Sequence, residues 1–220
     1  MMFRGAQCVL PLHPLTDHTT HTSSLKHHED TMTIKNLAYN GFLKIVTVLT
    51  PNGNTREVME RGESACVLIV DPETHKMLVI KEERAGVVLR DHKNNTPSDG
   101  MQFGPIAGMI DSGETPLQTI IREAKEEANI IIDPYDDEII GPVSLYASPG
   151  GSSEVIHHFV VYKAIDPALH GTTGGCADEN ETTLVHILEF DDPNLFPEEF
   201  HPINALLWTC LSLHEQNDMG

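Results

Sequence analysis

Residues 115–129, TPLQTIIREAKEEAN, leave the chain little choice of local structure. Thr115 before Pro116, with Gln118 three positions on, predicts a helix start: a hydroxyl cap, a proline at the first helical position and a capping-box partner. Leu117, Ile120, Ile121, Ala124 and Ala128 recur at helical spacing and mark the side that is buried. Arg122, Glu123, Glu126 and Glu127 occupy the other side, with Glu123 and Glu127 one turn apart so that their carboxylates converge. Two such charges about 6 Å apart repel by roughly 3 kcal/mol at an effective dielectric near 20. Taken alone, the string is a solvated helix face. A divalent cation between the carboxylates reverses the sign of their interaction, and an all-oxygen donor set suits Mg²⁺ or Mn²⁺ rather than Zn²⁺.

The charge balance points the same way. Fourteen basic against 33 acidic residues give a net charge of −19, which repels nucleic-acid backbones and anionic membranes and argues against either as a partner. An acidic protein still binds a phosphorylated small molecule where bound metal supplies the positive charge. At 220 residues the chain has the length of one domain with a real core. Cys8, Cys66, Cys176 and Cys210 form no C-x-x-C pair, so a reducing, cytoplasmic setting is expected. No apolar run approaches bilayer length and the first twelve residues lack a signal-peptide core, so a soluble protein is expected.

Residues 1–32 carry His13, His18, His21, His27 and His28 among Thr, Ser and Pro without apolar periodicity, and read as a disordered His-rich extension, with Met32 an alternative start. Their spacing matches no familiar metal cluster. Short β-rich runs follow at 42–50, 56–61, 64–71 and 77–82, separated by turn residues such as Pro51, Asn52, Gly53 and Pro72. Residues 91–100 are polar and turn-rich and read as a loop. After the acidic helix come strands at 143–147, 155–163 and 184–190. A last helix over 204–215 turns Leu206, Leu207, Cys210, Leu211 and Leu213 to the core. Mixed strands and helices without βαβ regularity predict an α+β sandwich.

Upstream of the acidic helix, Gly108 is followed after five residues by Glu114, and after seven more by Arg122-Glu123-Ala124-Lys125-Glu126-Glu127, with Ile130 closing the run. This resembles the Nudix box, Gly-x5-Glu-x7-Arg-Glu-aliphatic-x-Glu-Glu-x-Gly-aliphatic, at six of its seven fixed letters. The departure is Asn129 in place of Gly, at a helix end that often needs the left-handed conformation, which Asn accepts better than other non-Gly residues. The resemblance implies a Nudix-type α/β/α sandwich with a mixed sheet and a loop-helix-loop metal site over 55–216, preceded by N-terminal strands at 33–54. It also implies Mg²⁺-dependent hydrolysis of a diphosphate, with Mn²⁺ able to substitute. By that resemblance Glu123 and Glu127 are the main metal ligands, joined by Glu126 and the Ala107 carbonyl. Arg122 orients the glutamates by charge-assisted hydrogen bonds and Glu114 braces the loop or the metal shell. Metal at such a site draws charge from the diphosphate and activates the attacking water.

Over roughly residues 38–215 the chain is similar to the ADP-ribose pyrophosphatase branch of that family. Residues 148–154, SPGGSSE, resemble a substrate-contacting segment ending in Glu154, set farther beyond the box than usual by an insertion around 136–138. Residues 175–181, GCADENE, resemble the acidic loop that supplies the general base, which makes Glu179 the expected base and Glu181 a metal-linked carboxylate. Phe42 matches the ring that stacks on adenine, Arg56 and Arg84 match arginines lining the nucleotide and diphosphate, and Met109 joins the substrate contacts. The branch implies a homodimer whose N-terminal strands cross to the partner, and cleavage of ADP-ribose to AMP and ribose 5-phosphate. One departure opens the substrate question: the run FGPIAG at 103–108 lacks the glutamate of the usual Glu-Leu-Pro-Ala-Gly entry. UDP-glucose, GDP-mannose and NADH are the alternative substrates, and a non-catalytic ADP-ribose-binding regulator is the alternative class.

Overall fold

Seven small or apolar residues in a row, Ser64 to Val70, are best hidden in a strand covered on both faces. A computed structural model of the chain, which describes residues 33–41, 43–97, 99–175 and 182–189, puts this run at the centre of the fold as β4 (Glu63–Asp71), buried from its second residue to its last. Ahead of it, β1 (Thr33–Asn40), β2 (Lys44–Leu49) and β3 (Thr55–Glu60) form a separate three-stranded antiparallel sheet. That sheet takes in residues on both sides of position 54. Its β3 is tied to the later chain through Met59, whose N–H donates to the Gly151 carbonyl and whose carbonyl accepts from the Ser153 N–H.

The main sheet adds β5 (Lys76–Glu83), β6 (Met101–Gly104), β7 (Ile106–Met109), β8 (Glu138–Tyr146), β9 (Val155–Tyr162), β10 (Thr173–Gly174) and β11 (Thr183–Glu189). Its order is β10-β11-β5-β4-β9-β8, with β4 and β9 parallel and the remaining pairs antiparallel, so the sheet is mixed. β4 and β5 bond to each other only over Ile69–Leu78, Val70–Met77 and Asp71–Lys76. Where they part, β6 takes the free length of β5 and β7 that of β4. This split carries β7, and with it Ala107 and Gly108, into the sheet against the acidic helix.

That helix is α2 (Pro116–Ala128), as its capping residues predict. Its Ile120, Ala124 and Ala128 pack with Ala65, Val67, Ile69, Leu78 and Ile80 on one face of the sheet. Cys66, Leu68, Val70, Met77, Val79 and Val160 form a second cluster. Strand alternation sends neighbours on β4 to opposite faces, which explains how one apolar run feeds two clusters.

Two local expectations change. Residues 91–94 are the end of a helix, α1 (Ala85–Asn94), not loop; its start lies in apolar residues 85–89, and it stops where Asn95 turns left-handed at φ 53°. α1 buries none of its side chains, and its Val87, Val88 and Leu89 are consecutive rather than at helical spacing, so the sequence carries no helix signal there. The strand expected at 143–147 begins five residues earlier, at Glu138, interrupted by a register shift between Ile140 and Val143 at Gly141-Pro142. The insertion before it is pinned by Lys163, whose ammonium donates to the Ile131 carbonyl (2.6 Å) and the Asp137 carboxylate (2.7 Å). The extension 1–32, Phe42, and the helix expected over 204–215 lie outside the described residues. Among the described residues no helix is long and apolar enough to cross a membrane.

Candidate active site

Both ends of α2 are fixed by its own sequence. The Gln118 N–H donates to the Thr115 hydroxyl (3.3 Å) and the Thr115 N–H to the Gln118 side chain (2.8 Å), the reciprocal cap expected. At the other end Asn129 adopts φ 53°, ψ 33°, and the Ile130 N–H reaches back to the Ala124 carbonyl at 2.9 Å. Asn thus occupies a left-handed position where the motif has glycine, and buried Ile130 covers the turn.

Between these ends, Arg122 gathers the carboxylates. Its Nε and Nη2 donate to the two oxygens of Glu114 at 3.0 and 3.1 Å, a bidentate fork. Nη1 donates to Glu123 (2.7 Å) and Glu126 (3.1 Å), Nη2 also to the Met109 carbonyl (3.2 Å), and Asp111 stands 4.0 Å away. Glu114 is held down at about 2, chiefly by the hydrogen bonds from Arg122, against its partial burial and with help from the Thr119 hydroxyl and the Asp111 N–H. The same pairing with Glu114 raises Arg122 above its ordinary value. One fixed guanidinium, always charged, therefore sets the orientation of four carboxylates and leaves them in net negative excess.

Gly108 and Ala107 of β7 receive the other carboxylate contacts. A Cβ on Gly108 would lie 1.6 Å from the Glu123 Oε1, so the Glu123 carboxylate fills the room that the glycine leaves. Glu127, only 3% exposed, accepts from the Ala107 N–H at 3.1 Å. Glu123 and Glu127 are thus brought to β7 at Gly108 and Ala107, and Glu126 is joined to them through Arg122. Among the described residues no three His, Cys, Asp or Glu side chains are grouped so that they could hold a metal ion as they stand. The donor set nonetheless fits a hard divalent ion: oxygen donors only, a surplus of negative charge, and a glycine cradle that admits the Glu123 carboxylate.

Of the remaining expected residues, Glu154 lies on the neighbouring part of the sheet, accepting from the Ser64 hydroxyl (3.3 Å) and facing Arg61 Nε at 3.6 Å; Ser64 pairs in register with Met109. Arg84 precedes α1, is paired with Glu82, and reaches past Gly104 of β6. Arg56 is exposed on β3, its guanidinium turned back to the Thr55 carbonyl, and is not drawn into the carboxylate cluster. Phe42, Glu179 and Glu181 lie outside the described residues. The segment holding both glutamates is flanked by two anchors on α2: the Gly175 N–H donates to the Glu126 carbonyl (3.0 Å) and the Thr183 hydroxyl to the Glu127 carbonyl (2.9 Å). Sequence reasoning missed Arg61, Ser64, Gly174 and Thr183, since their partners are distant along the chain; only the paired glycines at 174–175 hinted at a close approach.

A family model described as NUDIX domain matches residues 60–208. An ADP-ribose pyrophosphatase of Haemophilus influenzae is 30% identical over 135 residues, 61% of this chain and 58% of that protein, so less than two thirds of its length is matched. An ADP-ribose pyrophosphatase of Escherichia coli is 31% identical over 166 residues, 73% of each chain. A GDP-mannose pyrophosphatase of Salmonella arizonae is 33% identical over 131 residues, 59% of this chain and 62% of its own. A crystal structure of an ADP compounds hydrolase shares the fold with a TM-score of 0.52 at 18% identity, over 84% of this chain and 95% of its own.

Proposed function

This chain belongs to the Nudix family, and we propose that it hydrolyses the diphosphate of a nucleotide sugar, with ADP-ribose, cleaved to AMP and ribose 5-phosphate, as its preferred substrate. The observation that carries the reading is the carboxylate array about Arg122, with Glu123 seated in the absent side chain of Gly108 and buried Glu127 on the Ala107 N–H. Glu123, Glu126, Glu127 and the Ala107 carbonyl would hold Mg²⁺, or Mn²⁺ in its place. The bound ion would neutralise the diphosphate oxygens and make water more acidic.

The protein's own part is positioning and proton transfer. Arg122 keeps the glutamates in register, and Glu114 keeps Arg122 in place. Glu179 acts as general base, taking a proton from water as its oxygen attacks phosphorus and the bridging P–O bond breaks, while Glu181 supports the metal side. Gly175 and Thr183, on either side of that segment, both bond to the turn that carries Glu126 and Glu127, which favours Glu179 for this task. Phe42, Arg56, Arg84, Met109 and Glu154 contact the substrate. We further propose a cytoplasmic homodimer in which N-terminal strands help to build the partner's nucleotide pocket.

A different nucleotide sugar is the second reading, favoured by one feature. Where the usual entry motif has glutamate, Gly104 stands, and among the described residues a Cβ there would meet only Arg84 Nη2, at 3.8 Å. That leaves room beside Arg84 for a different sugar or base. Purified protein with Mg²⁺ is to be given ADP-ribose, NADH, UDP-glucose and GDP-mannose, and the products separated by anion exchange. The highest kcat/KM on ADP-ribose, with AMP and ribose 5-phosphate released, supports the first reading. Faster turnover of GDP-mannose or another member moves the substrate and keeps the chemistry. No turnover of any member leaves a binding protein instead. Glu179→Gln should lower kcat far more than it raises KM, and an unchanged kcat removes Glu179 as the base.

A further inference from the structure

The last carbonyls of a helix have no partner within it, and something must satisfy them. In α2 the Asn129 N–H takes the Lys125 carbonyl at 3.1 Å through the local turn. The next two belong to Glu126 and Glu127, two of the three glutamates of the carboxylate array, and both are taken by chain some fifty residues away. The Gly175 N–H donates to the Glu126 carbonyl, and the Thr183 hydroxyl, on a residue 1% exposed, donates to the Glu127 carbonyl at 2.9 Å. Gly174 makes this approach possible. A Cβ there would stand 2.0 Å from the Glu127 carbonyl oxygen and 2.9 Å from that of Glu126, and backbone atoms cannot step aside as a side-chain tip can.

We infer that Thr183 is a positioning residue for the metal-holding carboxylates, fixing the backbone of Glu127 from behind while the Ala107 N–H fixes its carboxylate from in front. The inference rests on the reading of α2 as the metal helix. Glu127 is held at both ends: its side chain by Ala107 of β7, its main chain by Thr183 of β11. Thr119 offers a contrast. Its hydroxyl is equally buried but bonds to Glu114 and to its own helix, so it cannot set where the C-terminal turn lies. With the Thr183 hydroxyl removed, the Glu127 carbonyl loses its buried donor. The last turn of α2 can then shift, taking the Glu126 and Glu127 side chains off the geometry a small, strictly coordinated ion requires.

The test is direct binding of Mn²⁺ to the full chain without substrate, followed by electron paramagnetic resonance of the free ion, for wild type, Thr183→Val, Thr183→Ser and Glu127→Gln, with the melting temperature of each. Val keeps the shape of Thr and removes the donor; Ser keeps the donor. We expect Thr183→Val to weaken Mn²⁺ binding about tenfold or more, as loss of a supporting hydrogen bond around a metal commonly does, and Thr183→Ser to stay within about twofold of wild type. Wild-type Mn²⁺ affinity in a folded Thr183→Val protein, whatever its melting temperature, overturns the inference and leaves the hydroxyl a stability contact only. Equal weakening in Thr183→Val and Thr183→Ser also overturns it, because the donor is then not what matters. If Thr183→Val does not fold, Thr183→Ala, which leaves less bulk against the carbonyl, is compared with Thr183→Ser by the same criteria. Glu127→Gln separates the two levels of the argument: if it too binds Mn²⁺ like wild type, the metal-helix assignment fails first.

Discussion

Gly108→Ala isolates the geometry of the site from the stability of the fold. The added Cβ would lie 1.6 Å from Glu123 Oε1, 2.2 Å from its Cδ and 2.8 Å from its Cγ. Real Cβ contacts below 3.0 Å are essentially absent, so the carboxylate oxygen must retreat by about 1.4 Å or more. All three atoms belong to the end of a flexible side chain, and Gly108 does not have the positive φ that alanine would resist. The adjustment is thus a rotamer change at Glu123, costing about 1 kcal/mol. For a chain of this size that lowers the melting temperature by roughly 2–4 °C. Displacing a catalytic group by about 1 Å can cost around a hundredfold in rate. The expected result is a folded protein with kcat reduced about 100-fold at saturating Mg²⁺, measured by AMP release in parallel with thermal denaturation. Wild-type kcat together with a near-native melting temperature would refute the claim that Glu123 must sit where Gly108 leaves room.

Three further outcomes follow from the same contacts. Arg122→Lys replaces a fork that reaches Glu114, Glu123, Glu126 and the Met109 carbonyl with a single ammonium, and kcat/KM should fall about 10- to 100-fold although the charge is kept; steady-state kinetics at several Mg²⁺ concentrations check this. Glu114 is held at about 2 against an ordinary 4.5, so its folded value is depressed and its contribution to stability is full above pH 4.5 and lost as pH falls through 2. In urea unfolding between pH 6 and 2, sampled at roughly half-unit steps, the stability gap between wild type and Arg122→Met should shrink below about 4.5 and close near 2; a gap independent of pH contradicts the pairing. Asn129 is left-handed, so Asn129→Ala should destabilise by about 1 kcal/mol and Asn129→Gly should not, as chemical denaturation will show.

What sequence could reveal depended on how far apart the interacting residues lie. α2 was readable to its caps because Thr115, Pro116, Gln118 and Asn129 act on their immediate neighbours. The helical part of the carboxylate array was readable for the same reason, since Arg122, Glu123, Glu126 and Glu127 share one helix; Gly108, on β7, and Glu114, in the loop between, were singled out by the resemblance to the Nudix box. The expected strands at 56–61, 64–71, 77–82 and 155–163 agree with β3, β4, β5 and β9 to within a residue at each end; apolar runs mark β4, β5 and β9, whereas mostly exposed β3 is marked by the turn residues before it. β6 and β7, four residues each and rich in glycine, give no such pattern; they exist because β4 and β5 separate and leave backbone groups to be paired. Ser64 beside Glu154 depends on strand pairing across 90 residues, and Thr183 on Glu127 on the packing of helix against sheet across 56, neither of which local spacing encodes.

The most direct test of the account is hydrolysis of ADP-ribose by wild type and Glu127→Gln across a Mg²⁺ titration, with the melting temperature of both recorded. Gln keeps an acceptor for the Ala107 N–H and the packing of a residue 3% exposed, but not the negative charge. The account predicts Mg²⁺-dependent release of AMP by wild type, and loss of that activity in a variant that still folds. Wild-type turnover by folded Glu127→Gln would contradict it, because the buried carboxylate of α2 would then have no part in the chemistry.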